Sequence, residues 1–191
     1  MKIEDYPIFL SSTDTLKETS KDSSKKPAQY MTELTMNVVN FDKARRKYVR
    51  EWIPNQDAVS SADALVFLPD CPVFIEFKNG KVEKDDVKRD IVKKIRDSLL
   101  IYGGITGQTI TETRKKMEFI LVYNPQKNID KSHSPSREEI LKSVAKKAET
   151  EIVRFDLERY RTLYFFDVHT YTPTELENYL TSRGVAEMPQ P

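Results

Sequence analysis

The run Val73-Phe74-Ile75-Glu76-Phe77-Lys78 places a carboxylate and an ammonium inside an otherwise apolar, strand-like stretch. Ionised groups in such a setting are costly unless they are paired or put to use. Glu76 and Lys78 are two residues apart, so in a strand they share one face, with Ile75 and Phe77 on the other. The preceding apolar run, residues 62–68, carries a single carboxylate, Asp63. A hairpin centred on the Asp70–Cys71 bond would set Asp63 opposite Lys78, diagonal to Glu76 and on the same face. A one-residue slip would undo that convergence. Two carboxylates and a lysine on one patch of sheet suit a hard cation such as Mg²⁺, which takes oxygen ligands together with water and substrate phosphate. A lysine beside it can orient a water or stabilise charge developing on a phosphate. The chemistry that follows is metal-assisted hydrolysis of a phosphodiester.

The elements that must hold these residues can be read from periodicity. Residues 62–68 and 73–78 are rich in Val, Phe and Ile, and Pro69-Asp70-Cys71-Pro72 between them makes a tight connection. Leu65, Phe67 and Phe74 share the face of the charged residues, which predicts a covered face. From Val82 to Tyr102, Val87, Ile91, Ile95 and Leu99 recur at helical spacing, with Gly103, Gly104 and Gly107 ending the helix and a polar stretch following to Lys116. Lys94 falls on the apolar side of this helix, where Asp97 and Ser98 are placed to hold it. Residues 117–124 form a third strand and 162–171 a fourth. Ser136 and Glu139 cap a charged helix over 137–152, and Thr172-Pro173-Thr174-Glu175 opens a last one. Upstream, Met31, Leu34 and Val38 have helical spacing, and a further helical segment covers Asp42 to Trp52.

Asp63, twelve intervening residues and then Glu76-x-Lys78 resemble the motif of the PD-(D/E)xK nuclease superfamily, the restriction-endonuclease-like fold. The order of elements from Ala28 to about Tyr171 is similar to that family's core, a mixed central sheet flanked by helices. The resemblance implies that Asp63 and Glu76 ligate Mg²⁺, or Mn²⁺ in its place, with the Phe77 backbone carbonyl as third ligand and Lys78 as the catalytic lysine. It further implies an acidic residue on the preceding helix, for which Glu33 is the match, and a supporting Lys on the following helix, Lys94. Ala62 stands where the family's name has a proline, a common substitution. The literal Pro69-Asp70 lies in the connection, away from the sheet face.

The chain of 191 residues, 31 basic and 30 acidic, has a net charge of +1, which argues against a polybasic nucleic-acid coat. The size suits one α/β domain. Residues 1–27, poor in apolar side chains over 11–27, read as an N-terminal arm or mobile linker, residues 28–183 as the domain and 184–191 as a tail. No apolar stretch is long enough to span a membrane, and the amino end has no secretory character, so the expected address is the cytoplasm. One cysteine, Cys71, and two histidines, His133 and His169, exclude a disulfide framework and leave little for a zinc site. The basic run from Lys43 to Arg50 reads as a solvated helix face. The expected function is a Mg²⁺-dependent nuclease acting on DNA, in host defence or DNA processing, as a homodimer or in a larger complex. Two alternatives stay open: a non-catalytic nucleic-acid-binding or protein-interaction subunit of the same fold, and a structural protein in which Asp63, Glu76 and Lys78 form only a cross-strand salt bridge.

Overall fold

Alternating apolar residues need cover on both faces of a sheet, and this chain supplies it with helices on one side and helices and loops on the other. The computed structural model describes residues 3–24, 26–51, 59–129 and 153–185. Its main sheet contains β1 (Thr13–Thr15), β4 (Asn37–Asn40), β5 (Ala64–Phe67), β6 (Pro72–Lys78), β7 (Glu118–Tyr123) and β8 (Asp167–Tyr171), in the spatial order β1-β4-β5-β6-β7-β8. The first three junctions are antiparallel, and β6–β7 and β7–β8 are parallel. The sheet is therefore mixed. A separate two-stranded ribbon joins β2 (Lys21–Asp22) to β3 (Gln29–Tyr30).

The helices are α1 (Pro7–Leu10), α2 (Leu16–Thr19), α3 (Phe41–Arg50), α4 (Asp85–Thr106), α5 (Ile110–Lys116) and α6 (Pro173–Ser182). Because β6 and β7 are parallel, their connection must cross the sheet, and α4 lies in it. Its Ile91, Ile95, Leu99 and Tyr102 join Leu65, Phe74, Phe119 and Leu121 of the sheet in one core. Each such buried side chain contributes roughly 1.5–3 kcal/mol relative to exposure. Val73, Ile75, Phe77, Ile120 and Val122 face the opposite way, against Leu16, Met31 and Leu34 and the α6 residues Leu176 and Leu180.

Several expectations change. Residues 28–38 are not a helix. Met31, Leu34 and Val38 all reach the α6-side core, but from a loop and from β4, where Val38 and Val39 alternate between the two cores. Pairing with β1 and β5 overrides a spacing that also fits a helix. Nor are residues 3–24 a free arm: Phe9 and Leu16 are fully buried, and β1 forms the sheet's edge.

Helix α4 runs through Gly103 and Gly104 and stops at Gly107, whose φ of 74° is left-handed. A Cβ on Gly104 would lie 2.1 Å from the Tyr48 hydroxyl, so the glycine permits close packing of α3 on α4. The polar stretch beyond it contains α5, where the Glu112 carboxylate accepts the Thr109 N–H at 2.6 Å. The fourth strand begins only at Asp167, because Thr162 turns back to donate its N–H to the Phe165 carbonyl. The capping pair Thr172–Glu175 opens α6 as its spacing predicts. The helix assigned to 137–152, with Ser136 and Glu139, lies outside the described residues, as do His133 and most of the 184–191 tail.

Candidate active site

Strand alternation sends Glu76 to the α4 face of β6, beside Phe74 and away from Ile75 and Phe77. There it is completely buried. The hairpin register differs by two residues from the one assumed: Leu65 pairs with Phe74 and Ala64 with Ile75. A two-residue shift keeps every side chain on its face and brings Asp63 from the level of Lys78 to that of Glu76.

Asp63 sits just before β5 in a braced segment. The Ser60 N–H donates to Asp97 Oδ2 at 2.8 Å, and the Ala62 N–H donates to Ser98 Oγ at 2.8 Å. Asp97 and Ser98 thus hold the approach to Asp63, and not Lys94 as their sequence proximity suggested. The Asp63 N–H donates to the Ile75 carbonyl at 3.1 Å, and Asp63 Oδ2 accepts the Phe77 N–H at 2.7 Å. A strand residue presents its N–H and C=O to the same neighbouring strand, so the Phe77 carbonyl also faces the Asp63 edge.

The two lysines close the cluster. Lys94 Nζ donates to Glu76 Oε1 at 2.7 Å and to Asp63 Oδ1 at 3.2 Å. Lys78 Nζ lies 3.1 Å from Glu76 Oε1 and 2.8 Å from Asp90 Oδ2. Asp90 escaped the sequence reading, although it precedes Lys94 by four residues and so shares its face of α4. Glu33 is not part of this group. It lies in a loop, is exposed, and pairs with Lys17 at 2.6 Å.

Burial, and then the neighbouring Glu76 carboxylate, push the Asp63 carboxyl up to about 7, against the opposing pull of Lys94 and the Phe77 N–H. For Lys94, burial works against the ammonium, but the Glu76 and Asp63 carboxylates outweigh it and hold the group above the usual lysine range. Lys78 is raised too: burial is the largest influence and opposes it, as does Lys94, but Glu76 and the hydrogen-bonded Asp90 together outweigh them. Glu76 Oε2 is buried with no hydrogen-bond partner. Such an oxygen costs roughly 1–3 kcal/mol, more when charged, so a purely structural ion pair gives no reason for it.

That orphaned oxygen tests the fit of a metal. Among the described residues, no group of three or more Asp, Glu, His or Cys side chains is arranged to enclose a cation. Mg²⁺ does not need one: it is commonly held by one or two carboxylates and keeps several waters. Glu76 Oε2, Asp63 and the Phe77 carbonyl are the oxygens that would supply such a set. Asp63, Phe77 and Lys78 also line a cleft of about 510 Å³, which the β2–β3 ribbon bounds on its far side through Lys21 and Asp22. The cleft opens near the carboxyl ends of the parallel strands, where α/β sheets bind their ligands.

A second polar cluster occupies the opposite end and face of the sheet. The Glu118 carboxylate accepts from the Tyr179 hydroxyl, from Arg183 at 3.2 Å and from the Cys71 thiol at 3.4 Å, with His169 Nε2 at 3.5 Å. His169 is thus engaged with Glu118. Burial pushes the Cys71 thiol up to about 12, with the Glu118 charge adding to the effect, so no activated thiolate is present. The cluster pins α6 to β7 and β8. The basic face of α3 is used locally too: Lys43 pairs with Asp14 at 2.7 Å, and Arg45 donates to the Val59 carbonyl at 2.8 Å.

No protein-family model, curated protein or solved structure matches this chain. Among the described residues, no helix is long and apolar enough to cross a membrane.

Proposed function

We propose that this protein is a Mg²⁺-dependent nuclease of restriction-endonuclease-like architecture that hydrolyses phosphodiester bonds, with DNA as its substrate. The observation that carries the reading is Glu76: a fully buried carboxylate, bridged through one oxygen to two lysines, with its other oxygen left without a partner. The antiparallel β5–β6 pair, the α4 crossover and the parallel β7 support the architecture. Asp63, Glu76 and the Phe77 carbonyl would hold the ion, which supplies Lewis acidity and a water acidified towards neutral pH. Lys78, tethered by Asp90, positions the attacking water and stabilises negative charge on the phosphate. Lys94 keeps the two carboxylates in register. By analogy with this architecture, the setting is host defence or DNA processing in the cytoplasm.

An inert salt-bridge network supplies no partner for Glu76 Oε2, whereas a bound cation would, and this favours the metal reading over that alternative. The test is cleavage of supercoiled plasmid, linear duplex and single-stranded DNA and RNA, with Mg²⁺, Mn²⁺ or EDTA. Glu76→Gln and Lys78→Ala proteins of confirmed folding serve as controls. Metal-dependent cutting lost in both variants supports the reading. Absence of both cutting and Mg²⁺ binding sinks it.

A further inference from the structure

Beside the cleft of Asp63 and Lys78 lies a second one of about 530 Å³, lined by Gln29, Tyr30, Asn79, Asn124 and Gln126 and by the start of α6. Asn79, the residue directly after Glu76-x-Lys78, lines both. It is held on every side. Its Nδ2 donates to Asp22 Oδ2 at 2.9 Å and to Gln29 Oε1 at 3.1 Å, and its Oδ1 accepts from Asn124 at 2.8 Å and from Lys127 at 3.1 Å. These bonds tie the β2–β3 ribbon to the loop after β7 and make Asn79 a fixed partition between the two spaces.

The two sides of that partition differ in chemistry. The lining of the catalytic cleft is charged: Lys21, Lys78 and Lys127 with the hydroxyls of Ser23 and Ser24 suit a phosphate backbone, and the carboxylates of Asp22 and Asp63 lie among them. The lining of the second cleft contains no charged side chain. It offers an aromatic ring, four amide side chains and two threonine hydroxyls. Amides pair with the hydrogen-bonding edges of bases, and aromatic rings stack on their faces. Two cations lie over the Tyr30 ring, Lys17 Nζ at 5.0 Å and Lys21 Nζ at 5.6 Å from its centroid. Lys17 is paired with Glu33 at 2.6 Å, whereas Lys21 is more loosely paired, 3.8 Å from Glu18, and is the cation that the sugar-phosphate of a stacked nucleotide would meet.

We infer that this second cleft is a nucleobase subsite. It takes one unpaired base, adjacent to the scissile phosphate, stacked on Tyr30 and contacted at its edge by Gln29 and Gln126. A base inside a duplex offers neither its face nor its pairing edge, so the preferred substrate is a single strand or an unpaired end. The inference deepens the nuclease reading and rests on it.

The test is fluorescence anisotropy of end-labelled 20-nucleotide DNA, single-stranded or duplex, with the full chain in EDTA so that binding is read without cleavage. The wild type is expected to favour the single strand. Tyr30→Ala should weaken single-strand binding ~5–100-fold, the range for loss of one base–aromatic stack, and leave duplex binding unchanged. Tyr30→Phe keeps the ring and should bind as the wild type does. Gln126→Ala, in an exposed loop, should alter the ranking of dA, dC and dT homopolymers. Equal affinity for duplex and single strand, or a Tyr30→Ala protein of normal melting temperature with undiminished single-strand binding, overturns the subsite. Metal-dependent cleavage that persists alongside either result leaves the nuclease reading standing. Absence of both cleavage and binding overturns the two together.

Discussion

Lys94 reaches from the third turn of α4 to place its ammonium 2.7 Å from Glu76 Oε1 and within hydrogen-bond distance of Asp63, so one side chain compensates a buried and a partly buried carboxylate. Removing one partner of a buried ion pair is far more damaging than its net contribution suggests, because the remaining charge is stranded. Lys94→Met should destabilise the fold by ~3–5 kcal/mol. A cation that binds the same carboxylates would then substitute for the lysine, so Mg²⁺ should restore more stability in the variant than it adds to the wild type. Urea denaturation with and without Mg²⁺ measures both. An equal Mg²⁺ effect on the two proteins would separate Lys94 from the proposed metal site.

Asp90 holds Lys78 at 2.8 Å from a half-exposed position on α4. Lys78 keeps Glu76 as a partner when Asp90 is removed, so Asp90→Ala should lose only about 1 kcal/mol of stability. Misplacing the Lys78 ammonium by about an ångström should lower kcat ~10–100-fold with KM little changed. Steady-state cleavage kinetics would show the split, and an unchanged kcat would remove Asp90 from the site.

Glu118 links acid sensitivity to the far end of the sheet. Although burial opposes ionisation, hydrogen bonds from His169, Tyr179 and Cys71 hold its carboxyl down at about 2, below the ordinary 4.5. A depressed folded-state value means that the unfolded chain binds the proton more readily. The stabilisation is therefore complete above about pH 4.5 and is lost as pH falls towards 2, with a full value of about 3 kcal/mol. Denaturation midpoints from pH 7 down to pH 2 should fall steeply in the wild type and less so in Glu118→Gln. Parallel curves would assign the acid loss elsewhere.

Phe9 distinguishes an integral N-terminal segment from a tethered arm. It is fully buried, with ring centroids 6.1 Å from Phe41, 5.9 Å from Phe67 and 6.3 Å from Tyr102. Phe9→Ala should cost ~3–5 kcal/mol. Chemical denaturation would register that loss as a lower midpoint, whereas a freely moving arm would show none.

The elements legible in the chain were those written in local periodicity. The two apolar runs around the Pro-Asp-Cys-Pro turn became β5 and β6, the Ile91–Ile95–Leu99 stripe became α4, and Thr172 with Glu175 opened α6. The placement of Asp63, Glu76 and Lys78 on one face followed from period-two alternation, which is why it survived a register that differed by two residues. Local patterns misled where two structures satisfy the same spacing. Met31, Leu34 and Val38 suit a helix, but they are buried from a loop and a strand once β1 and β5 are there to pair with β4. The apolar-poor 11–27 stretch reads as solvent-exposed until Leu16 finds the α6-side core.

By itself, then, the sequence determined which residues could carry charge inside a strand and which helix face would lie over them, because both depend only on side-chain type and backbone period. The tertiary structure alone decided who meets whom: Lys94 on Glu76, Asp90 on Lys78, Asp97 and Ser98 on the segment before Asp63, and Asn79 between the ribbon and the β7 loop. These partners come from segments far apart in the chain, and their pairing is set by the packing of α4 and the N-terminal ribbon on the sheet, which no local spacing encodes.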